Sequence, residues 1–338
     1  METYFSTFIP GTGEIVSDLL RKKLGKVGIK LKLDGLILFE TPAPFQLIKD
    51  LRFCNNTFAL LKTDKDIDVS DFIDFIASDR FVQKRLKDFI LPKTKTFRVV
   101  YSKENKLVNL DNGLTGRLEG FINRGTNLKV DKRDPDVEFW ILERSEGNIF
   151  FGTRVTKKQN TKDILEQGEL RTEVVNILCE LSEPDESDVF LDPFAGSGAI
   201  PIERARIYRF KNIFAGENDK AIYTSLVKKI KTLGLKIVVG KWNATKLGAL
   251  TDGSIYKIVT DPPWGQFGQY SDIEDLYKRS FGEFYRLLRK NGVLVLLTSQ
   301  KELVDEILEE YQDKFLLEKE FNVLVSGKKA VIFKIRKI

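Results

Sequence analysis

Short apolar runs alternate with stretches of helical spacing through residues 188–335, and this alternation constrains the fold more than any other feature of the 338-residue chain. Asp188–Leu191, Asn212–Gly216, Lys236–Val239, Tyr256–Thr260 and Val293–Thr298 read as strands. Ala199–Arg209, Lys220–Leu233, Ile273–Arg289 and Lys301–Glu310 repeat their apolar residues three and four apart and read as helices. Strands separated by helices pair through crossovers, so a mostly parallel sheet covered on both faces is expected, an α/β fold. The last two apolar runs, Phe315–Leu324 and Ala330–Ile335, are joined by the turn Ser326-Gly327-Lys328. So short a connection makes an antiparallel hairpin, expected at the sheet edge.

The first half follows a different pattern. Its apolar segments are short and separated by turns and charges: Tyr4–Ile9, Leu36–Glu40, Thr57–Lys62, Phe97–Tyr101, Val137–Leu142 and Ile149–Arg154. Helical stretches intervene at Glu14–Leu24, Val69–Ala77 and Asp79–Ile90. This reads as α+β, in two small units meeting near residue 55, with the polar stretch 156–168 as linker. Residues 1–165 carry 29 Lys+Arg against 23 Asp+Glu, whereas residues 166–338 carry 26 of each. A positive half joined to a neutral one suits a division in which the first part holds a polyanion.

Absences narrow the chemistry. The chain has no histidine, which excludes Ser-His-Asp triads, Cys-His dyads and histidine-ligated zinc. Its two cysteines, Cys54 and Cys179, are too few for a four-thiolate site, so no metal is expected, and they suit a reducing cytoplasm. No run of about 18 apolar residues reads as a membrane span, and the first residues lack the basic and apolar regions of a secretory signal. The reaction must therefore run on carboxylates, amides, hydroxyls or a reactive cofactor.

The strongest local signal is a strand that ends in Asp192-Pro193-Phe194-Ala195-Gly196-Ser197-Gly198 and leads into a helix at Ala199. Doubly wound sheets bind ligands at the carboxyl ends of their strands, where a glycine-rich first turn lets backbone approach the ligand. A dinucleotide fingerprint needs a third glycine where Pro201 stands, and a P-loop needs Lys-Ser/Thr where Ala199-Ile200 stand. With an acid leading in and no lysine for phosphate, the turn suits a cation, such as the amine and sulfonium of S-adenosylmethionine. Glu217 stands 19 residues beyond Gly198, where a carboxylate holds ribose hydroxyls, with Asn218 beside it. Asp219 is expected to cap the following helix. Asn243 and Ala244 follow the third strand, where a polar side chain can read an adenine amine.

Thr260-Asp261-Pro262-Pro263-Trp264-Gly265 follows the fourth strand. Two prolines fix the local path and donate no ladder hydrogen bonds. The expected product is an acceptor cluster of the Asp261 carboxylate and proline carbonyls beside the face of Trp264. That arrangement fits a planar base bearing an amine. An aromatic amine is a poor nucleophile because its lone pair is delocalised, and accepting its hydrogens on oxygen returns that pair to nitrogen.

Asp192–Gly198 and Asp261–Gly265 are similar to the cofactor motif and the Asp/Asn-Pro-Pro-aromatic motif of class I amino-methyltransferases, the latter shared by N6-adenine and N2-guanine enzymes. Ile9-Pro10-Gly11 followed by helical Glu14–Leu24 resembles the opening of the ferredoxin-like unit in THUMP-containing RNA methyltransferases. Leu128–Val130, Asp134-Pro135-Asp136-Val137 and strand Ile149–Thr153 ending at Arg154 are similar to the end of a THUMP domain. Gly168-Glu169-Leu170-Arg171 resembles that family's run into its catalytic domain, although the usual histidine-proline pair is absent.

The resemblance implies a ferredoxin-like domain at 1–55, a THUMP RNA-binding domain at 56–155, a linker at 156–168 and a Rossmann-like methyltransferase domain at 169–338. It implies S-adenosylmethionine as methyl donor and tRNA as partner, gripped at the acceptor stem and 3′ end. The methyl would go to N2 of a guanosine, at acceptor-stem position 6 by preference, with position 10 a relative's target. Asp261, Pro262 and Trp264 would be catalytic; Asp192, Pro193, Ala195, Gly196, Gly198, Glu217, Asn218, Asn243, Ala244 and Asp261 would hold the cofactor. Arg80, Lys84, Arg85, Lys87, Lys93, Lys95, Arg98 and Arg154 are the expected RNA contacts of a cytoplasmic monomer. Guanine-N2 methylation of ribosomal RNA, adenine-N6 methylation of DNA or RNA, and non-catalytic RNA binding stay open as alternatives.

Overall fold

The computed structural model describes residues 1–156, 169–265 and 272–338. All but the first residue of the expected linker lies outside them. The chain forms two units: Met1–Thr7 with Leu20–Gln159, and Phe8–Leu19 with Asn160–Ile338. The grouping of residues 8–19 with the second unit is not what the sequence suggests. Its physical basis is backbone contact: Leu324 donates its N–H to the Pro10 carbonyl at 3.3 Å. Gly11 has φ +88°, and a Cβ there would lie 1.9 Å from the Asn322 carbonyl oxygen.

In chain order the first 156 residues form β1 (Glu2–Thr7), α1 (Gly13–Leu24), β2 (Gly28–Leu33), β3 (Leu36–Thr41), α2 (Phe45–Lys49), β4 (Asn56–Lys65) and α3 (Val69–Ser78). There follow α4 (Arg80–Arg85), β5 (Thr96–Lys103), β6 (Lys106–Val108), α5 (Asn112–Thr126), β7 (Lys129–Val130), β8 (Val137–Glu143) and β9 (Asn148–Arg154). One sheet takes them in the order β2-β3-β1-β4-β9-β8-β5-β6, with β7 on β5. The expected division near residue 55 therefore falls inside this sheet. β4 pairs with β1 across that division and with β9 on its other side, so a break there would leave the facing edges of β1 and β4 without hydrogen bonds.

Helix α5 is a second departure from the sequence reading. Gly113, Gly116, Gly120 and Gly125 lie within it, each costing about 1 kcal/mol relative to alanine. Tertiary burial of Leu118, Phe121 and Ile122 overrides that cost, and Asp111 caps the first turn through the N–H groups of Gly113 and Leu114.

The second unit contains α6 (Thr172–Leu181), β10 (Val189–Asp192), α7 (Ala199–Ile207), β11 (Asn212–Gly216), α8 (Lys220–Leu233) and β12 (Val238–Gly240). It continues with β13 (Ile255–Thr260), α9 (Ile273–Leu287), β14 (Leu288–Thr298), α10 (Lys301–Glu310), β15 (Phe315–Val325) and β16 (Lys328–Lys337). Its seven-stranded sheet runs β12-β11-β10-β13-β14-β16-β15. The first five are parallel neighbours and the last two form the antiparallel hairpin, β16 pairing with β14. Val293–Leu297 of β14 are fully buried, which fits a strand covered on both faces. The strand order reverses between β10 and β13, and a doubly wound sheet opens its ligand crevice at such a point.

Candidate active site

Four neighbouring parallel strands, β12, β11, β10 and β13, deliver their carboxyl ends to one side of the sheet. Each is followed by one of the segments singled out in the sequence. Asp192, the last residue of β10, is 1% exposed. Its Oδ1 accepts from the Thr260 hydroxyl at 2.8 Å and from the Phe194 N–H at 3.2 Å. Its Oδ2 is buried with no hydrogen-bond partner. Burial, reinforced by the charge of Glu217, pushes the Asp192 carboxyl up to about 7.

The glycine-rich turn is held against the next strand. Ala195 donates its N–H to the Gly216 carbonyl at 2.9 Å, and Gly196 donates to Glu217 Oε2 at 3.1 Å. Gly198 has φ +87°, a backbone conformation that favours glycine, and a Cβ there would lie 2.4 Å from Leu226 Cδ1, which would have to turn away. Pro193 is buried beneath the turn. The other oxygen of Glu217 accepts from the Asp219 N–H at 2.7 Å, Asn218 is exposed, and Asp219 caps α8 as expected.

Beyond β12 the arrangement differs from the sequence reading in one detail. Asn243 Oδ1, the atom that would accept from an adenine amine, already accepts from the backbone and hydroxyl of Thr245 at 3.0 and 2.9 Å. Its side chain closes a turn, with Ala244 buried beside it. Trp242, not singled out by sequence, lies against the strand ends: a Cβ on Gly240 would stand 2.0 Å from its Cε2.

Asp261 follows β13 and stays part-exposed, yet burial of its carboxyl, reinforced by the charge of Asp192, raises it to about 7. Trp264 donates its indole N–H to Asp261 Oδ1 at 2.8 Å. The expected acceptor cluster is smaller than the sequence suggests. Pro262 is buried, and the Pro263 carbonyl already accepts from the Tyr277 hydroxyl at 3.0 Å. Tyr277 also shares a 2.6 Å hydrogen bond with Thr298, and Gln300 donates to the Trp264 carbonyl at 2.7 Å. Tyr277, Thr298 and Gln300 thus brace the loop from α9 and the end of β14. A position just past a parallel strand could have flagged Gln300, but Tyr277 had no sequence signal.

The expected RNA strip divides in two. Arg98 and Arg154 both pair with buried Glu138, which also accepts from the Trp140 indole at 2.9 Å. Those bonds hold the Glu138 carboxyl below its usual range against the opposing effect of burial. Arg85 pairs with Glu2 and Asp88. These three cations are already matched with acids inside the unit. Arg80, Lys84, Lys87, Lys93 and Lys95 are exposed and make no ion pair among the described residues.

Fold and site together define a Rossmann-like methyltransferase domain, with a doubly wound sheet, terminal hairpin and acid-led glycine turn at the switch point. The family UPF0020, described as an RMKL-like methyltransferase domain, matches residues 159–330, and the chain belongs to it. The chain is 27% identical over 242 residues to mouse tRNA (guanine(6)-N(2))-methyltransferase THUMP3, covering 66% of this chain and 48% of that protein. It is 31% identical over 191 residues to the bovine protein of the same name, covering 51% of this chain and 37% of the other. It thus spans about half or less of these curated relatives. In fold it matches the crystal structure of TrmN from Thermus thermophilus over the full length of both chains, with a TM-score of 0.78 at 19% identity. Among the described residues no group of acids or cysteines could hold a metal ion, and no helix is long and apolar enough to cross a membrane.

Proposed function

We propose that this protein transfers a methyl group from S-adenosylmethionine to the exocyclic N2 amine of a guanosine in tRNA, acceptor-stem position 6 being the favoured target. The observation that carries the reading is Asp261. It is an enclosed carboxylate at the switch point, with one oxygen steadied by Trp264 and the other taking no hydrogen bond among the described residues.

The residues present fit the methyl donor. Asp192 Oδ2 is buried and unpartnered, and a Cβ at Gly196 would meet nothing within 4 Å. Three neighbouring acids, Asp192, Glu217 and Asp261, with open backbone beside them, suit a ligand that brings a cation. S-adenosylmethionine supplies an electrophilic methyl on a sulfonium when bound. Glu217 holds the ribose hydroxyls, with Asn218, Asn243 and Ala244 along the adenosine. Pro193, Ala195, Gly196 and Gly198 shape the turn around the methionine part. Asp261 accepts a hydrogen of the guanine amine and so returns the lone pair to nitrogen, and the displaced proton leaves to solvent. Pro262 fixes the loop and Trp264 stacks on the base. The first unit holds the tRNA acceptor stem and 3′ end.

The deciding experiment is mass spectrometry of nucleosides after total tRNA is incubated with the protein and labelled methyl donor. Labelled N2-methylguanosine is expected. Labelled N6-methyladenosine instead, or no labelled nucleoside, would overturn the reading.

Glu217→Ala is expected to weaken S-adenosylhomocysteine binding by roughly 10- to 100-fold, since a charge-assisted hydrogen bond contributes about 1.5–3 kcal/mol. Calorimetry measures this directly, and unchanged affinity would remove Glu217 from the site. Trp264→Phe is expected to fall between wild type and Trp264→Ala in methylation rate. Phenylalanine keeps a π-face, and stacking contributes about 1–3 kcal/mol per base, but it loses the N–H that steadies Asp261. Equal losses in both variants would leave the Trp264–Asp261 bond as the whole of the indole's role.

A further inference from the structure

We infer that Phe81 on α4 is a base-stacking platform for a single-stranded segment of RNA, with Arg80 and Lys84 as its phosphate contacts. The inference rests on the RNA-binding part of the reading above and names the residue and the kind of segment that it takes.

The core accounts for one side of this helix only. Val82 and Leu86 are buried in the first unit, while Phe81 is 66% exposed. Residues three and four apart share a helix face, so Lys84 and Arg85 lie on the same side as the Phe81 ring. Arg85 stands 5.8 Å from that ring but is matched by Glu2 and Asp88. Arg80 and Lys84 are not matched by any acid among the described residues, and neither is Lys87 just beyond the helix. The start of the helix that carries the ring is fixed, because Asp79 accepts the Phe81 and Val82 N–H groups and is itself held by Lys62 at 3.2 Å.

An exposed aromatic ring among unneutralised cations is the combination that single-stranded nucleic acid uses. The cations track the backbone and the ring takes a base face. A duplex satisfies the cations but not the ring, because its base faces are already stacked on one another. An apolar protein partner satisfies the ring but leaves the cations beside it unpaired. The charge and the aromatic ring together select an unpaired RNA strand.

The test uses the full chain, without methyl donor, and fluorescence anisotropy with two labelled probes: a short unstructured oligocytidylate and a blunt-ended RNA hairpin. Phe81→Ala is expected to weaken oligocytidylate binding by roughly 5- to 150-fold, with hairpin binding and the salt dependence unchanged. Phe81→Tyr is expected to bind as wild type. Lys84→Ala is expected to weaken both probes and flatten the salt slope for the single strand by about 0.7. Oligocytidylate affinity unchanged in Phe81→Ala, or lost equally for the hairpin, would overturn the inference. Because these readings need no methyl transfer, a protein that shows the pattern yet methylates no tRNA would sink the catalytic reading alone. One that methylates tRNA with Phe81 dispensable for strand binding would sink this inference alone.

Discussion

Asp261→Ala is expected to lower methyl transfer by roughly 100- to 1,000-fold, the usual loss when one preorganised group facing developing charge is removed, while both ligands still bind. The amine nitrogen becomes positive as the methyl arrives, so the bond to Asp261 strengthens in the transition state more than in the ground state. Asp261→Asn separates two roles. Asparagine keeps one oxygen that can accept from the guanine amine, its amide nitrogen then facing the Trp264 indole, but it cannot take a proton. Substantial activity in the Asn variant is expected, because the nitrogen sheds its proton readily once methylated. The raised carboxyl adds a second readout. Burial, reinforced by the charge of Asp192, pushes the Asp261 carboxyl up to about 7, so the carboxylate forms as pH rises through neutrality and kcat/KM should rise with it. That rise should shrink in Asp261→Asn, leaving whatever Asp192 contributes from its own carboxyl near 7. Near-normal turnover in Asp261→Ala would remove this residue from the chemistry.

What could be read without coordinates was whatever local pattern decides. Asn212–Gly216, Lys220–Leu233 and Lys301–Glu310 have the same bounds as β11, α8 and α10, because strong periodicity coincides there with clear ends. Asp219 at the start of α8 and Gly234 at its left-handed end mark both boundaries of one helix. Legibility failed where tertiary structure overrides local preference. Four glycines hide α5, whose stability comes from Leu118, Phe121 and Ile122 packing into the unit's core. The edge strand β2 was missed although Ile29, Leu31 and Leu33 alternate with lysines, because only alternate residues of an edge strand need be apolar. β4 joins both halves of the first sheet through register alone, which no property of Asn56–Lys65 announces.

The site divides along the same line. Asp192, Glu217 and Asp261 could be singled out because each ends or directly follows a strand, and strand ends are where a doubly wound sheet places its ligands. Thr260 was quoted only as a neighbour of Asp261, yet parallel pairing of β10 with β13 puts its hydroxyl on the Asp192 carboxylate. Tyr277 reaches the Pro263 carbonyl only because α9 lies over that loop. Side-chain commitments were equally invisible. Nothing in the string of residues says that Asn243 turns its oxygen to Thr245, or that Glu138 sits between Arg98 and Arg154 and takes two cations out of the RNA strip.

Breaking the buried Asp188–Arg204 pair is expected to destabilise the second unit by about 3–5 kcal/mol, a large share of the 5–15 kcal/mol that typically holds a domain folded. Arg204 is wholly buried in α7 and Asp188, 1% exposed, immediately precedes β10. The guanidinium donates to Asp188 Oδ2 at 2.8 Å, to the Arg209 carbonyl at 2.8 Å and to the Asp185 carbonyl at 3.1 Å. Asp188→Ala leaves this cation in the interior with only neutral acceptors, and arginine cannot shed its proton to escape. Arg204→Met should cost less, because a stranded carboxyl can take up a proton and the Asp185 N–H still donates to Asp188. Asp188→Leu combined with Arg204→Met should recover much of the loss, since an apolar pair needs no desolvated charge. Hydrogen exchange in β10 and α7 measures the local opening free energy in each variant. The glycine-rich turn lies between the two partners in sequence, so the same variants should bind S-adenosylhomocysteine in the order of their stabilities. A change below about 1 kcal/mol in Asp188→Ala, the range of an exposed pair, would show that the interior around Arg204 is wetter than its burial indicates.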